Sequence, residues 1–175
     1  MNFNKIMLID GSFFCYFYHY GEEIFVKGKP MQAFLKSIAT IRYLLAQGYE
    51  VEILWDGHAQ WRYDLLPEYK SSRRENEELA QARKFIKAEI HPLLKEFLSY
   101  IPVTQYYSPQ DEADDLAAYR LNLAKIKEEP SIFRMLCSDT DWLQLVSSQA
   151  DWWNFRTKKV TSHIDFTGEI GRAHV

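Results

Sequence analysis

Short apolar runs alternate with longer stretches of helical periodicity along the whole chain. Residues 5–9 form a compact apolar run closed by Asp10-Gly11, and residues 51–55 a second one closed by Asp56-Gly57; both read as buried strands ending in turns. Residues 103–107 and 131–137 read as two more strands, stopped by Ser108-Pro109 and Ser138-Asp139, and the aromatic stretch 152–155 as a fifth. Between them, residues 30–47 carry Phe34, Leu35, Ile38, Ile41 and Leu45 at helical spacing, with Gly48 as the stop. Residues 75–100 are mostly helical with a kink or break at Pro92, residues 111–127 form a further helix, and residues 141–147 a short one. Strands alternating with helices predict an α/β fold: a three-layer, mostly parallel sheet flanked by helices, joined by right-handed crossovers. The chain has no internal repeat.

Composition narrows this to a packed domain. The chain has 175 residues, the size of one domain or of one domain plus a fragment of a second. With 47% hydrophobic residues, 7 Gly and 6 Pro, it is neither disordered nor collagen-like. No run approaches the ~20 apolar residues of a membrane span. Lys5 is followed by only four apolar residues before Asp10, too short a run for a signal peptide. Cys15 and Cys137 form no spacing motif and read as reduced core residues, so the expected location is cytoplasmic.

The acidic side chains carry the chemical information. Asp10, Asp56 and Asp139 each fall just past a predicted strand, and Glu112, Asp114 and Asp115 follow the third one. The carboxyl ends of parallel strands open onto one edge of a sheet, where ligand crevices form. Carboxylates gathered there repel one another and need cations. An all-oxygen donor set, with Asp141 as a seventh member, suits Mg²⁺ or Mn²⁺ rather than zinc. The alternative for each position is local: Asp-Gly is a common turn, and acids at a helix start cap it.

Charge distribution agrees with an anionic partner despite the formal net charge of −3. Setting the seven carboxylates aside from the 24 acids leaves 17, against 21 Lys and Arg. Arg62, Lys70, Arg73 and Arg74 cluster after the second strand, and Lys70 and Arg73 are expected on phosphate. Arg83, Lys84 and Lys87 read equally as phosphate contacts or as a solvated face paired with Glu75, Glu77, Glu78 and Glu89. Of the aromatics after Asp10, most read as core and one as a ring that stacks on a base.

Taken together, the motifs Ile9-Asp10-Gly11-Ser12, Trp55-Asp56-Gly57, Trp61-Arg62, Leu66-Pro67-Glu68-Tyr69-Lys70, Arg73, Glu112-Ala113-Asp114-Asp115 and Ser138-Asp139-Thr140-Asp141-Trp142 resemble the 5′-nuclease (flap endonuclease) superfamily. They occur in family order over roughly residues 5–165, and look most like bacterial and phage 5′–3′ exonucleases. The resemblance implies a PIN-like, resolvase-like domain with a helical arch segment. It implies a first metal among Asp10, Asp56, Glu112 and Asp114, and a second among Asp114, Asp139 and Asp141, with Asp115 nearby. Asp10 and Asp114 would thus be catalytic as well as metal-holding, and Lys70 with Arg73 or Arg74 would be arch cations at the scissile phosphate. Tyr16 would be the stacking ring, and Arg62 a further DNA contact. The implied activity is structure-specific 5′–3′ exonuclease and flap endonuclease cleavage of DNA with two Mg²⁺ ions, Mn²⁺ substituting. The implied setting is a bacterial or phage-infected cell, a monomer, and a DNA polymerase as partner, fused or separate.

The family has further aspartates and a helix–hairpin–helix module beyond the point where this sequence stops, so the chain is expected to be an N-terminal fragment over residues 1–168, weak or inactive alone. Residues 169–175 resemble one reading frame of a sequencing adapter and are expected not to be native. Three other functions use the same residues. A PIN-like single-strand ribonuclease would share the carboxylates, a sugar-nucleotide transferase would rely on Asp139 and Asp141, and a DNA-end-binding protein would bind without cleavage.

Overall fold

The computed structural model describes residues 3–68 and 77–165. Its centre is a six-stranded sheet in the order β5-β4-β1-β6-β7-β8, where β1 is Asn4–Asp10, β4 Glu50–Trp55, β5 Val103–Tyr107, β6 Ser131–Cys137, β7 Ala150–Asn154 and β8 Lys159–Thr161. All neighbours are parallel except β7 and β8, which pair antiparallel at the edge. The mostly parallel α/β expectation therefore holds.

Both faces of the sheet are covered, which is why β1 reads as a continuous apolar run rather than an alternation. Met7 and Ile9 pack with Ile53 and Trp55 on one face, against α1 (Gly11–His19), α2 (Gln32–Ala46) and α5 (His91–Leu98). Ile6 and Leu8 pack with Leu54, Phe133 and Met135 on the other, against α6 (Ala113–Ile126). Cys15 and Cys137 are free buried thiols on opposite faces. The second face also holds a partly buried ion triad: Arg120 reaches Glu52 Oε2 at 2.9 Å and Glu129 Oε2 at 2.8 Å, with its guanidinium over Phe133.

Several elements went unread in the sequence. α1 begins directly after Asp10, where the Asp-Gly pair reads as a turn and the aromatics that follow read as core without marking a helix. A small hairpin of β2 (Phe25–Val26) and β3 (Lys29–Pro30), the short helix α3 (Gln60–Leu65) and β8 were also missed. The long helical stretch, expected to kink or break at Pro92, is helical throughout from Glu77 to Leu98. α4 (Glu77–Phe85) runs into a π-helical turn, Ile86–Ile90, and Pro92 sits in the first turn of α5, directly after the turn that shifts the hydrogen-bond register. The short helix near residue 141 is a 3₁₀ segment, Thr140–Leu145. Gly48 ends α2 at φ +80°, as its position suggested. No helix among the described residues is long and apolar enough to cross a membrane.

Candidate metal and phosphate site

Chain order and strand order together decide where a site forms. β4 and β5 lie on one side of β1, β6 and β7 on the other, so the connections diverge at β1 and open a crevice beyond its carboxyl end. A cavity of about 460 Å³ lies there. Asp10, Asp56, Glu112, Asp114, Asp139 and Asp141 all line it, although they come from four separate parts of the chain. This is the convergence the sequence pattern implied.

Each main carboxylate is held by one oxygen on a backbone amide. Asp10 Oδ1 accepts from Phe13 N at 2.8 Å, starting α1. Asp56 Oδ1 accepts from Ala113 N at 2.9 Å, Asp114 Oδ1 from Asp115 N at 3.0 Å, and Asp139 Oδ1 from Asp141 N at 3.0 Å. Capping and convergence, which looked like rival readings, coexist. One oxygen of each of these four carboxylates is engaged by a backbone amide, and the same four residues line the cavity.

Glycine allows the loops to meet. Gly57 N donates to Asp111 O at 2.8 Å and His58 N to Pro109 O at 2.9 Å. A Cβ on Gly57 would collide with the Ser108 carbonyl oxygen and lie 2.8 Å from the Pro109 carbonyl carbon. The Asp-Gly pair is therefore more than a turn: the glycine lets the segment before α6 come up against the end of β4.

The electrostatics are those of crowded acids. Burial, then Asp56, Asp139 and Asp114, hold the Asp10 carboxyl well above the usual range, against the lowering effect of the Phe13 amide. Asp114 is also raised, by burial first and then Asp115, with Arg62 opposing. Among the described residues no three side chains stand close enough together, as placed, to enclose one ion. The donor set nevertheless fits a hard divalent cation: all ligands are oxygen, they face one cavity, and their mutual repulsion is of the kind a cation relieves.

Two of the expected residues are turned away from the cavity. Asp115 does not line it. Its Oδ2 accepts from Glu112 N at 3.0 Å at the start of α6, and its Oδ1 lies 2.5 Å from Arg62 Nη2. Arg62, expected at DNA, points inward, with its side chain 19% exposed, toward Glu112, Asp114 and Asp115. Tyr16 does line the cavity, half-buried, with the Arg83 guanidinium 5.8 Å from its ring centre and its hydroxyl buried without a hydrogen-bond partner among the described residues. Lys70, Arg73 and Arg74 lie outside the described residues.

The later basic residues divide. Arg83 and Lys87 line the cavity, whereas Glu89 pairs outward with Lys29 at 2.7 Å. Their i, i+4 spacing is the only sequence signal, and it fits a solvated face equally well. His58 and Tyr63, stacked at 5.4 Å and 26°, also line the cavity and were not singled out in the sequence.

The family model for the 5′-3′ exonuclease N-terminal resolvase-like domain matches residues 5–171. This chain belongs to that family. Among solved structures, it is similar to bacteriophage T5 5′-exonuclease with bound divalent zinc ions, at 20% identity and a TM-score of 0.68, covering 94% of this chain and 60% of the other. A T5 flap endonuclease complex with DNA and metal ions matches with a TM-score of 0.71 at 20% identity, covering 95% and 60%. Human GEN1 in complex with Holliday junction DNA matches with a TM-score of 0.66 at 11% identity, covering 97% and 41%. The chain thus spans about 60% of the T5 proteins' length. No curated protein sequence matches it.

Proposed function

We propose that this chain is the metal-holding part of a structure-specific 5′–3′ DNA exonuclease or flap endonuclease that hydrolyses phosphodiesters near 5′ ends. The observation that carries this reading is the gathering of Asp10, Asp56, Glu112, Asp114, Asp139 and Asp141 on one cavity beyond β1. Family membership and the metal- and DNA-bound T5 relatives support it.

Asp10, Asp56, Glu112 and Asp114 would hold one divalent ion, and Asp114, Asp139 and Asp141 a second, with Mg²⁺ favoured and Mn²⁺ able to substitute. Such ions would supply an activated water and stabilise the departing 3′-oxygen. The protein's own part is positioning. The amides of Phe13, Ala113, Asp115 and Asp141 fix one oxygen each of Asp10, Asp56, Asp114 and Asp139, which limits the reorganisation those carboxylates need. Lys70 and Arg73, with Arg83 and Lys87 on the cavity wall, would offset phosphate charge, and Tyr16 would stack on a base beside the cut. A DNA polymerase partner, a monomeric state and a cytoplasmic setting belong to the same reading. So does a further DNA-gripping segment in the whole protein.

The test is cleavage of a labelled 5′-flap duplex by the chain, alone and extended by the remainder of its gene. Mg²⁺-dependent cuts near the junction, lost in EDTA and in Asp114→Asn, are expected of the extended protein. Preference for single-stranded RNA would establish the ribonuclease instead, and flap binding without cleavage would leave an end-binding protein.

A further inference from the structure

Arg62 has a placement that DNA contact does not explain. Its guanidinium meets three carboxylates at unequal distances: Nη2 to Asp115 Oδ1 at 2.5 Å, Nη1 to Glu112 Oε2 at 3.3 Å and Nη2 to Asp114 Oδ2 at 3.6 Å. The short contact is to the one carboxylate of the three that does not line the cavity. The two long ones go to residues that do.

Arg62 is held from outside the site. It stands on α3, with its guanidinium 5.1 Å from the Trp61 ring centre, and Trp61 Nε1 donates to Gln110 O at 3.1 Å across the loop before α6. Asp115 is fixed in turn by the Glu112 amide. Glu112 and Asp114 can therefore turn toward an ion in the cavity without breaking the Arg62–Asp115 pair.

Resting on the metal-site reading above, we infer that Arg62 is a positioning residue that serves as the resident counter-cation of the carboxylate cluster. It stabilises the site when no metal is bound and, by remaining beside Glu112 and Asp114, weakens divalent-ion binding. A cation kept within a few ångströms of a partly buried ion site opposes a second cation by Coulomb repulsion, and it occupies acceptor oxygens that the ion needs. The consequence is a site tuned to release or exchange its metal rather than to hold it as tightly as six bare carboxylates would.

The experiment is calorimetric titration of the whole chain with Mn²⁺, alongside thermal unfolding in EDTA and in Mn²⁺, for wild type, Arg62→Gln and Arg62→Lys. Arg62→Gln should unfold at a lower temperature in EDTA, bind Mn²⁺ roughly tenfold more tightly, and gain more from Mn²⁺ than wild type does. Arg62→Lys keeps the charge and should stay within about threefold of wild-type affinity. If Arg62→Gln is unfolded in EDTA, Mn²⁺ should refold it; remaining unfolded where wild type is saturated overturns the proposal. So does a folded Arg62→Gln with unchanged or weaker Mn²⁺ affinity, which would make Arg62 a simple brace for its ligands. Absence of Mn²⁺ binding by wild type would instead remove the metal site itself, and this inference with it.

Discussion

The Ala113 amide donates a 2.9 Å hydrogen bond to Asp56 Oδ1, joining the end of β4 to the start of α6 across 57 residues. A single carboxylate thus ties two chain segments together on the wall of the cavity. These roles separate on substitution. Asp56→Asn keeps an acceptor and removes a charge that repels Asp10, so its denaturant midpoint in EDTA should match or exceed wild type. Asp56→Ala loses the acceptor as well and should fall about 1 kcal/mol below Asp56→Asn. Urea denaturation of the three proteins in EDTA checks both.

The Asp10 carboxyl is held well above its usual range, by burial first and then by three like charges. Asp10→Asn should therefore unfold at a higher temperature than wild type in EDTA and lose the rise in unfolding temperature that Mn²⁺ gives wild type. Thermal scans with and without metal decide it. A variant that is destabilised in EDTA would mean that the cap on α1, rather than repulsion, dominates at this position.

Gly57 is needed for contact. Gly57→Ala should cost about 1–3 kcal/mol, the range for overpacking, because the collision is with backbone that cannot turn aside. It should weaken Mn²⁺ binding too, since the loop it displaces carries Glu112. Denaturation and titration of the same sample test the pairing.

Glu52 is only 6% exposed, and Arg120 is its counter-ion. Arg120→Ala leaves a buried carboxylate without compensation and should lose about 3–5 kcal/mol. Adding Glu52→Gln to that variant should recover part of the loss. Chemical denaturation of the single and double variants measures the coupling.

His91 lies against Trp55 and Tyr16, between Lys87 and Lys95. Burial first, then Lys95 and Lys87, push its imidazole down to about 4. The unfolded chain takes up its proton near pH 6.5 and the folded chain does not, so this contribution is complete above that pH and is lost as pH falls toward 4. At pH 5 the loss is about 2 kcal/mol relative to pH 7. His91→Gln should lack that part of the pH dependence, which is read as the difference between the two proteins' midpoints at pH 5 and pH 7.

Much was legible in the residues because it is local. A strand buried on both faces is mostly apolar, which marks β1, and also β4 and β6 apart from Glu52 and Arg134. A parallel sheet then sends every carboxyl end to one edge, so residue order alone places Asp10, Asp56 and Asp139 together. α1 was hidden for a different reason: Asp10-Gly11 reads as a turn, and the run Phe13–Tyr18 after it has no charged positions to show a helical period. The choice for Arg83 and Lys87 was undecidable in sequence, since i, i+4 spacing describes a wet face and a cavity wall alike.

The amino-acid order by itself determined the alternation of strands and helices and the set of acids that face one edge, because strand pleat and helix pitch depend on neighbours within a few residues. Only the tertiary structure decided which carboxylate oxygens are tied down, that Asp115 turns outward, and that Arg62 faces the acids rather than an open surface. Those outcomes depend on contacts between α3, the loop before α6 and the ends of β1 and β4. Residues fifty positions apart meet there only once the sheet has closed, and short-range preference carries no information about such contacts.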